Sequence, residues 1–99
     1  GNMQFDQLAD KSRITSEQKE ALIKVNDYID KYLKCLSTAY RKHYGSQGEK
    51  IADMFDRQNA ERQKIYIDLY NEIITWGQFN QLRQTINSDA AEKMKQLSK

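Results

Sequence analysis

Apolar side chains recur at alternating steps of three and four between Leu22 and His43. The line runs Leu22, Val25, Ile29, Tyr32, Leu36, Ala39 and His43, with Leu33 and Tyr40 widening it. That rhythm predicts a long amphipathic helix burying one broad face. Ahead of it Thr15 and Gln18 stand at capping-box spacing, and Glu17 and Glu20 lie near the positive end of the helix dipole. Arg41, Lys42 and His43 suit the opposite end, before a stop at Gly45. At ~1.5 Å per residue this helix is about 45 Å long.

Ser46 and Glu49 repeat the capping-box spacing, so Gly45 to Gly48 reads as a tight turn into a second helix. Its stripe is Ile51, Phe55, Ile65, Leu69, Ile73 and Trp76, flanked by Met54 and Tyr66. Between Phe55 and Ile65 the inward line passes Gln58 and Arg62, with only Ala60 as a nearby apolar residue, which marks a thinly packed section or an accessible groove. Thr75 and Gln78 form a third cap-like pair, and Gly77 marks a break or kink. Phe79, Leu82, Ile86, Ala90, Met94 and Leu97 then predict a third helix. Asn87-Ser88-Asp89 offers a point where it breaks in two, one continuous helix being the preferred reading.

Residues 1–14 carry Met3, Phe5 and Leu8 without a sustained stripe. They read as a flexible or loosely packed arm, a short packed turn, or a strap for a partner. The expected fold is therefore all-α: an elongated up-down-up bundle of three helices over residues 15–99, behind an arm over 1–14. The absence of proline and the presence of only four glycines agree with long uninterrupted helices. Helices this long on so small a domain expose part of their stripes. A homodimer completing a larger bundle is one expectation, and an elongated monomer closed by the arm is the other.

Composition narrows the function classes. Ninety-nine residues with 38% hydrophobic positions support one modest core. A net charge of +2, from 16 basic and 14 acidic residues, is too balanced for a dedicated nucleic-acid binder. A mean hydropathy of −0.92 and the lack of an 18-residue apolar run exclude a transmembrane segment within this sequence. Cys35, the single cysteine, reads as a small packing residue or an inert exposed one, although it can cross-link two chains. His43, the single histidine, reads as structural or solvent-facing, since neither zinc-binding spacing nor a cysteine cluster accompanies it. No catalytic residue, cofactor or metal ligand is assigned. Gly1-Asn2 ahead of Met3 reads as the remnant of a trimmed chain, and the sparse cysteine usage leans toward a periplasmic or envelope-associated bacterial location.

Three tyrosine pairs stand at i,i+4 spacing: Tyr28 with Tyr32, Tyr40 with Tyr44, and Tyr66 with Tyr70. Antiparallel helices would bring them into one aromatic band, which either edges an ordinary core or serves a protein or glycan surface. Charge is graded: residues 1–30 carry −2 and residues 31–50 carry +4. The segment 73–83, with Trp76 and Phe79 anchoring a corner at Gly77, resembles the closing corner of small helical domains in bacterial exported proteins; the similarity covers only those residues and names no family. The leading expectation is a non-enzymatic helical module for protein binding or oligomerisation, in a bacterial exported or envelope protein. Tyr32, Tyr40, Tyr66, Tyr70 and Trp76 are its candidate anchors, and Lys34, Arg41 and Lys42 its steering charges toward a second copy or an acidic partner. The alternative is a small regulatory or anionic-ligand-binding helical domain.

Overall fold

The computed structural model describes residues 4–98. Met3 and the outermost residues of both expected segments lie outside them. The described residues form an all-α bundle of four helices: α1 (Phe5–Leu8), α2 (Ser16–His43), α3 (Gly45–Tyr70) and α4 (Trp76–Leu97). The count exceeds the three expected by the short α1. No helix among the described residues is long and apolar enough to cross a membrane.

Two of the three expected caps form. The Thr15 hydroxyl accepts from Gln18 N at 3.2 Å while Gln18 Oε1 accepts from Thr15 N at 2.9 Å, and Thr75 and Gln78 repeat the exchange at 3.1 and 2.9 Å. Each box satisfies orphan donors at the start of a helix. The third, Ser46 with Glu49, does not open α3. The turn lies earlier, at Tyr44 and Gly45, where Gly45 takes φ +61°, and α3 begins without a side-chain cap. Gly48 then presses against the Tyr40 carbonyl oxygen, where no side chain fits. Glu49 instead binds Arg41 across the hairpin at 3.1 Å.

α3 is the central helix, packed against α2 on one side and α4 on the other. The registers are antiparallel: Asp30 meets Asn59 and Asn26 meets Arg62 between α2 and α3, while Tyr66 meets Phe79 and Gln58 meets Asn87 between α3 and α4. The core comprises Ile14, Leu22, Ile65, Tyr66, Leu69 and Phe79, with Ile29, Ile74, Trp76 and Ile86 packed on it. Burial of each large apolar side chain there contributes about 1.5–3 kcal/mol. α3 ends at Tyr70 rather than running to Trp76, and Ile73 is exposed in the connection. α4 continues through Asn87 and Ser88 without a break.

The arm is docked on α4. The carbonyls of Ser12 and Asp10 accept from Trp76 N at 2.9 Å and Gly77 N at 2.7 Å, satisfying two donors at the helix start. Asn80 Nδ2 donates to the Gln7 carbonyl and Gln81 Nε2 to the Leu8 carbonyl. Ile14, at the arm's end, is buried in the core. The described residues measure 44 × 26 × 19 Å, close to the length expected of the longest helix.

Candidate functional site

The middle of α3, thinly packed in the sequence pattern, is filled by polar side chains. Arg62 and Asn59 are buried, 7% and 8% exposed. Arg62 Nη2 and Nε donate to Asn59 Oδ1 at 2.8 and 3.3 Å, and Nη1 donates to Asn26 Oδ1 at 2.9 Å. Asn59 Nδ2 and Gln63 Nε2 donate to Asp30 Oδ1 at 2.8 and 2.7 Å, and Lys34 Nζ lies 2.9 Å from Asp30 Oδ2. The Lys34 ammonium and the Asn59 amide hold the Asp30 carboxyl below the usual aspartate range. The guanidinium also sits 4.7 Å from the Tyr66 ring centroid. Among the described residues no fully buried side-chain nitrogen or oxygen lacks a hydrogen-bond partner, so the layer joins α2 to α3 without a stranded buried group.

Beside this layer an open groove of about 330 Å³ runs between α2 and α3, lined by Leu22, Ile23, Asn26, Gln63, Tyr66, Ile67 and Tyr70. A second groove of about 320 Å³, between α3 and α4, is lined mostly by charges of both signs, among them Asp53, Arg57, Glu61, Asp89 and Lys93.

The more extended apolar feature lies on the outward side of α2. Ala21, Val25, Tyr28, Tyr32, Cys35 and Ala39 are all exposed and follow steps of four, three, four, three and four. Tyr28 is 72% exposed, Tyr32 55% and Val25 46%. This is the spacing of a coiled-coil seam, repeated over nearly three heptads and left exposed by the described residues. It corrects the single broad stripe read from the sequence. Leu22, Leu33 and Ser37 are the buried line of α2, with Ile29, Leu36 and Tyr40 half-buried beside it, while Val25, Tyr32, Ala39 and His43 face solvent. α2 is apolar around more of its circumference than α3 alone can cover.

The structure scatters the expected anchors. Tyr66 is buried, 6% exposed, against Phe79 at 5.2 Å, and so is a core residue rather than a surface anchor. Trp76 is half-buried, edge-on to Phe79 at 5.6 Å, with its Nε1 donating to Gln18 Oε1. Tyr40 is half-buried between Tyr44 and Phe55, 5.1 and 5.6 Å away. Tyr70 borders the α2–α3 groove under the Lys19 ammonium. Tyr32 stands on the outward seam with Tyr28. The three tyrosine pairs therefore form no single band.

Two of the three steering charges are engaged within the chain. Lys34 pairs with Asp30, and Arg41 reaches Glu49, Asp53 and Asp56 at 3.1, 2.7 and 2.8 Å. Those three carboxylates hold the Arg41 guanidinium still more firmly protonated than usual. Lys42 is exposed and makes no ion pair among the described residues.

Asn26, Asp30, Asn59 and Gln63 were not singled out by the sequence pattern, because a polar layer has no periodic signature and its partners lie some thirty positions apart. Ala21 and Cys35 escaped as seam residues for another reason: a second 3-4 rhythm, offset from the inner one, merges with it into one wide stripe. Comparison with known protein families, curated proteins and solved structures finds no match for this chain.

Proposed function

We propose that this chain is a non-enzymatic helical module that binds protein through the outward face of α2. The observation that carries this reading is the exposed seam Ala21, Val25, Tyr28, Tyr32, Cys35 and Ala39 at heptad spacing. Two exposed tyrosines in mid-seam present large, rigid rings with polar tips, the side chains most enriched at binding hot spots. Alanines at both ends of the seam leave room for a partner's backbone to approach. With Arg41 and Lys34 neutralised internally, recognition depends on apolar contact more than on a basic patch.

A photoreactive residue in place of Tyr28 or Tyr32, introduced in cells that naturally make the protein, tests the reading. A discrete cross-linked protein species is expected, absent when the same residue replaces exposed Glu92 on α4. Identical patterns from α2 and α4 would overturn it.

A further inference from the structure

We infer that the partner of this face is a second copy of the same chain, joined through an antiparallel, two-fold α2–α2 contact centred beside Asp30. The inference rests on the reading of the outward face of α2 as the binding face, and adds the identity and orientation of its occupant.

The seam is symmetric about its own midpoint. Pairing each position with the one that brings their numbers to a common total sets Tyr28 opposite Tyr32, Val25 opposite Cys35, and Ala21 opposite Ala39. Large meets large and small meets small at every layer. The step pattern of four, three, four, three and four reads the same in both directions, so an antiparallel copy keeps all six residues in register. A two-fold contact must be self-complementary in this way, because the same surface is used twice.

Charge selects the same orientation. Setting aside the groups paired within the chain, Lys19 with Glu72, Lys34 with Asp30 and Arg41 with three α3 carboxylates, residues 16–30 keep Lys24 against Glu17, Glu20 and Asp27, a net −2, whereas residues 31–43 keep Lys31 and Lys42 with no acid, a net +2. Antiparallel pairing lays the acidic half of each α2 over the basic half of the other, and places Glu17 opposite His43 and beside Lys42. Parallel pairing would stack basic half on basic half, which costs association energy at low salt. The seam is also accessible along its length: α4 packs on α3, and the backbones of α2 and α4 do not pack together among the described residues.

Light scattering after size exclusion, over a concentration series reaching about 1 mM, gives the first test. A mass of twice 11.7 kDa is expected for the intact chain, and the mass of one chain for Tyr28→Lys/Tyr32→Lys at unchanged helicity. Orientation follows from thiol chemistry. Positions 25 and 35 of one helix lie about 15 Å apart, beyond disulfide reach. Oxidised Val25→Cys should therefore yield an intermolecular 25–35 disulfide, and the natural chain no covalent dimer through Cys35. A monomer at every concentration overturns the second copy, as does a doubled mass that survives the double lysine substitution. A Cys35–Cys35 disulfide in the natural chain overturns the antiparallel orientation. A photo-adduct of Tyr28 to a different protein, with a monomeric chain, also overturns the second copy while leaving the broader protein-binding reading standing.

Discussion

Arg62 and Asn59, one turn apart on α3, share two hydrogen bonds at the buried centre of the α2–α3 contact, with the guanidinium donating to Asn59 Oδ1 from both Nε and Nη2. Among the described residues no carboxylate lies in direct contact with the positive charge. It is met by the carbonyl oxygens of Asn26 and Asn59, and Asn59 passes its own amide on to Asp30. Removing Asn59 leaves the buried cation with Asn26 as its one side-chain acceptor among the described residues. Asn59→Ala is expected to cost about 3 kcal/mol, roughly 12–24 °C in Tm for a domain of this size. Replacing the layer together, as Asn26→Leu/Asn59→Leu/Arg62→Met, should recover most of that loss, because no polar group is then left unmatched. Thermal unfolding of the two variants checks the argument; a loss below about 1 kcal/mol for Asn59→Ala would show that water already solvates the guanidinium.

Acid should weaken the same layer through Asp30. Its carboxyl is held below the ordinary aspartate range, chiefly by Lys34 and then by Asn59. A depressed folded-state value means the contribution is full above the unfolded value of about 3.9 and disappears as pH falls through the folded value. Asp30→Asn should therefore be less stable than the natural chain near neutrality, and the two Tm curves should converge as pH drops from about 5 toward 2. Curves that stay parallel over that window would remove Asp30 from the acid response.

The arm depends on one glycine. A Cβ at Gly77 would lie 2.5 Å from the carbonyl oxygens of Leu8 and Asp10, both backbone atoms that cannot rotate away. Gly77→Ala should push the arm off the start of α4 and break the Gly77 N to Asp10 carbonyl bond. The expected cost is about 1–3 kcal/mol, with faster hydrogen exchange at Trp76 and Gly77 and little change in the centre of α3. Unchanged exchange at those two amides would show that the arm shifts as a body and keeps its bonds.

Local rules carried the reading of the chain a long way, and long-range packing set the limit. The Thr15–Gln18 and Thr75–Gln78 boxes were legible because each involves four consecutive residues whose donors have no competing partner. Ser46 and Glu49 have the same spacing, yet Glu49 is drawn to Arg41 and the chain has already turned at Gly45. Which side of α2 faces inward was not legible: Val25 and Tyr32 fit the inner rhythm as well as Leu22 and Leu33 do, and only the position of α3 separates them. Tyr66 and Tyr70 show the same limit. Both obey one spacing, but Phe79 from α4 covers the first and leaves the second at the groove.

Glu72 closes α3 in a conformation that usually belongs to glycine. Its φ is +60°, its N–H donates to the Leu69 carbonyl at 3.0 Å, and the Ile73 N–H donates to the Asp68 carbonyl at 2.9 Å. Those two bonds are the paired 5→2 and 6→1 contacts of a Schellman cap, with Glu72 at the left-handed position. A side chain there costs about 1–2 kcal/mol through the approach of Cβ to the following carbonyl. The opposing contribution is small: Glu72 Oε2 lies 3.5 Å from Lys19 Nζ in a partly exposed pair, worth about 0–1 kcal/mol. Glycine also loses more backbone freedom on folding, which offsets part of the relieved strain. Glu72→Gly is therefore expected to raise stability by about 0.5–1 kcal/mol, a Tm gain of roughly 2–8 °C. Glu72→Ala, which keeps the Cβ but loses the ion pair, should leave Tm unchanged or slightly lower. A gain in both variants would place the effect in the lost charge, whereas a gain confined to glycine assigns it to the left-handed backbone.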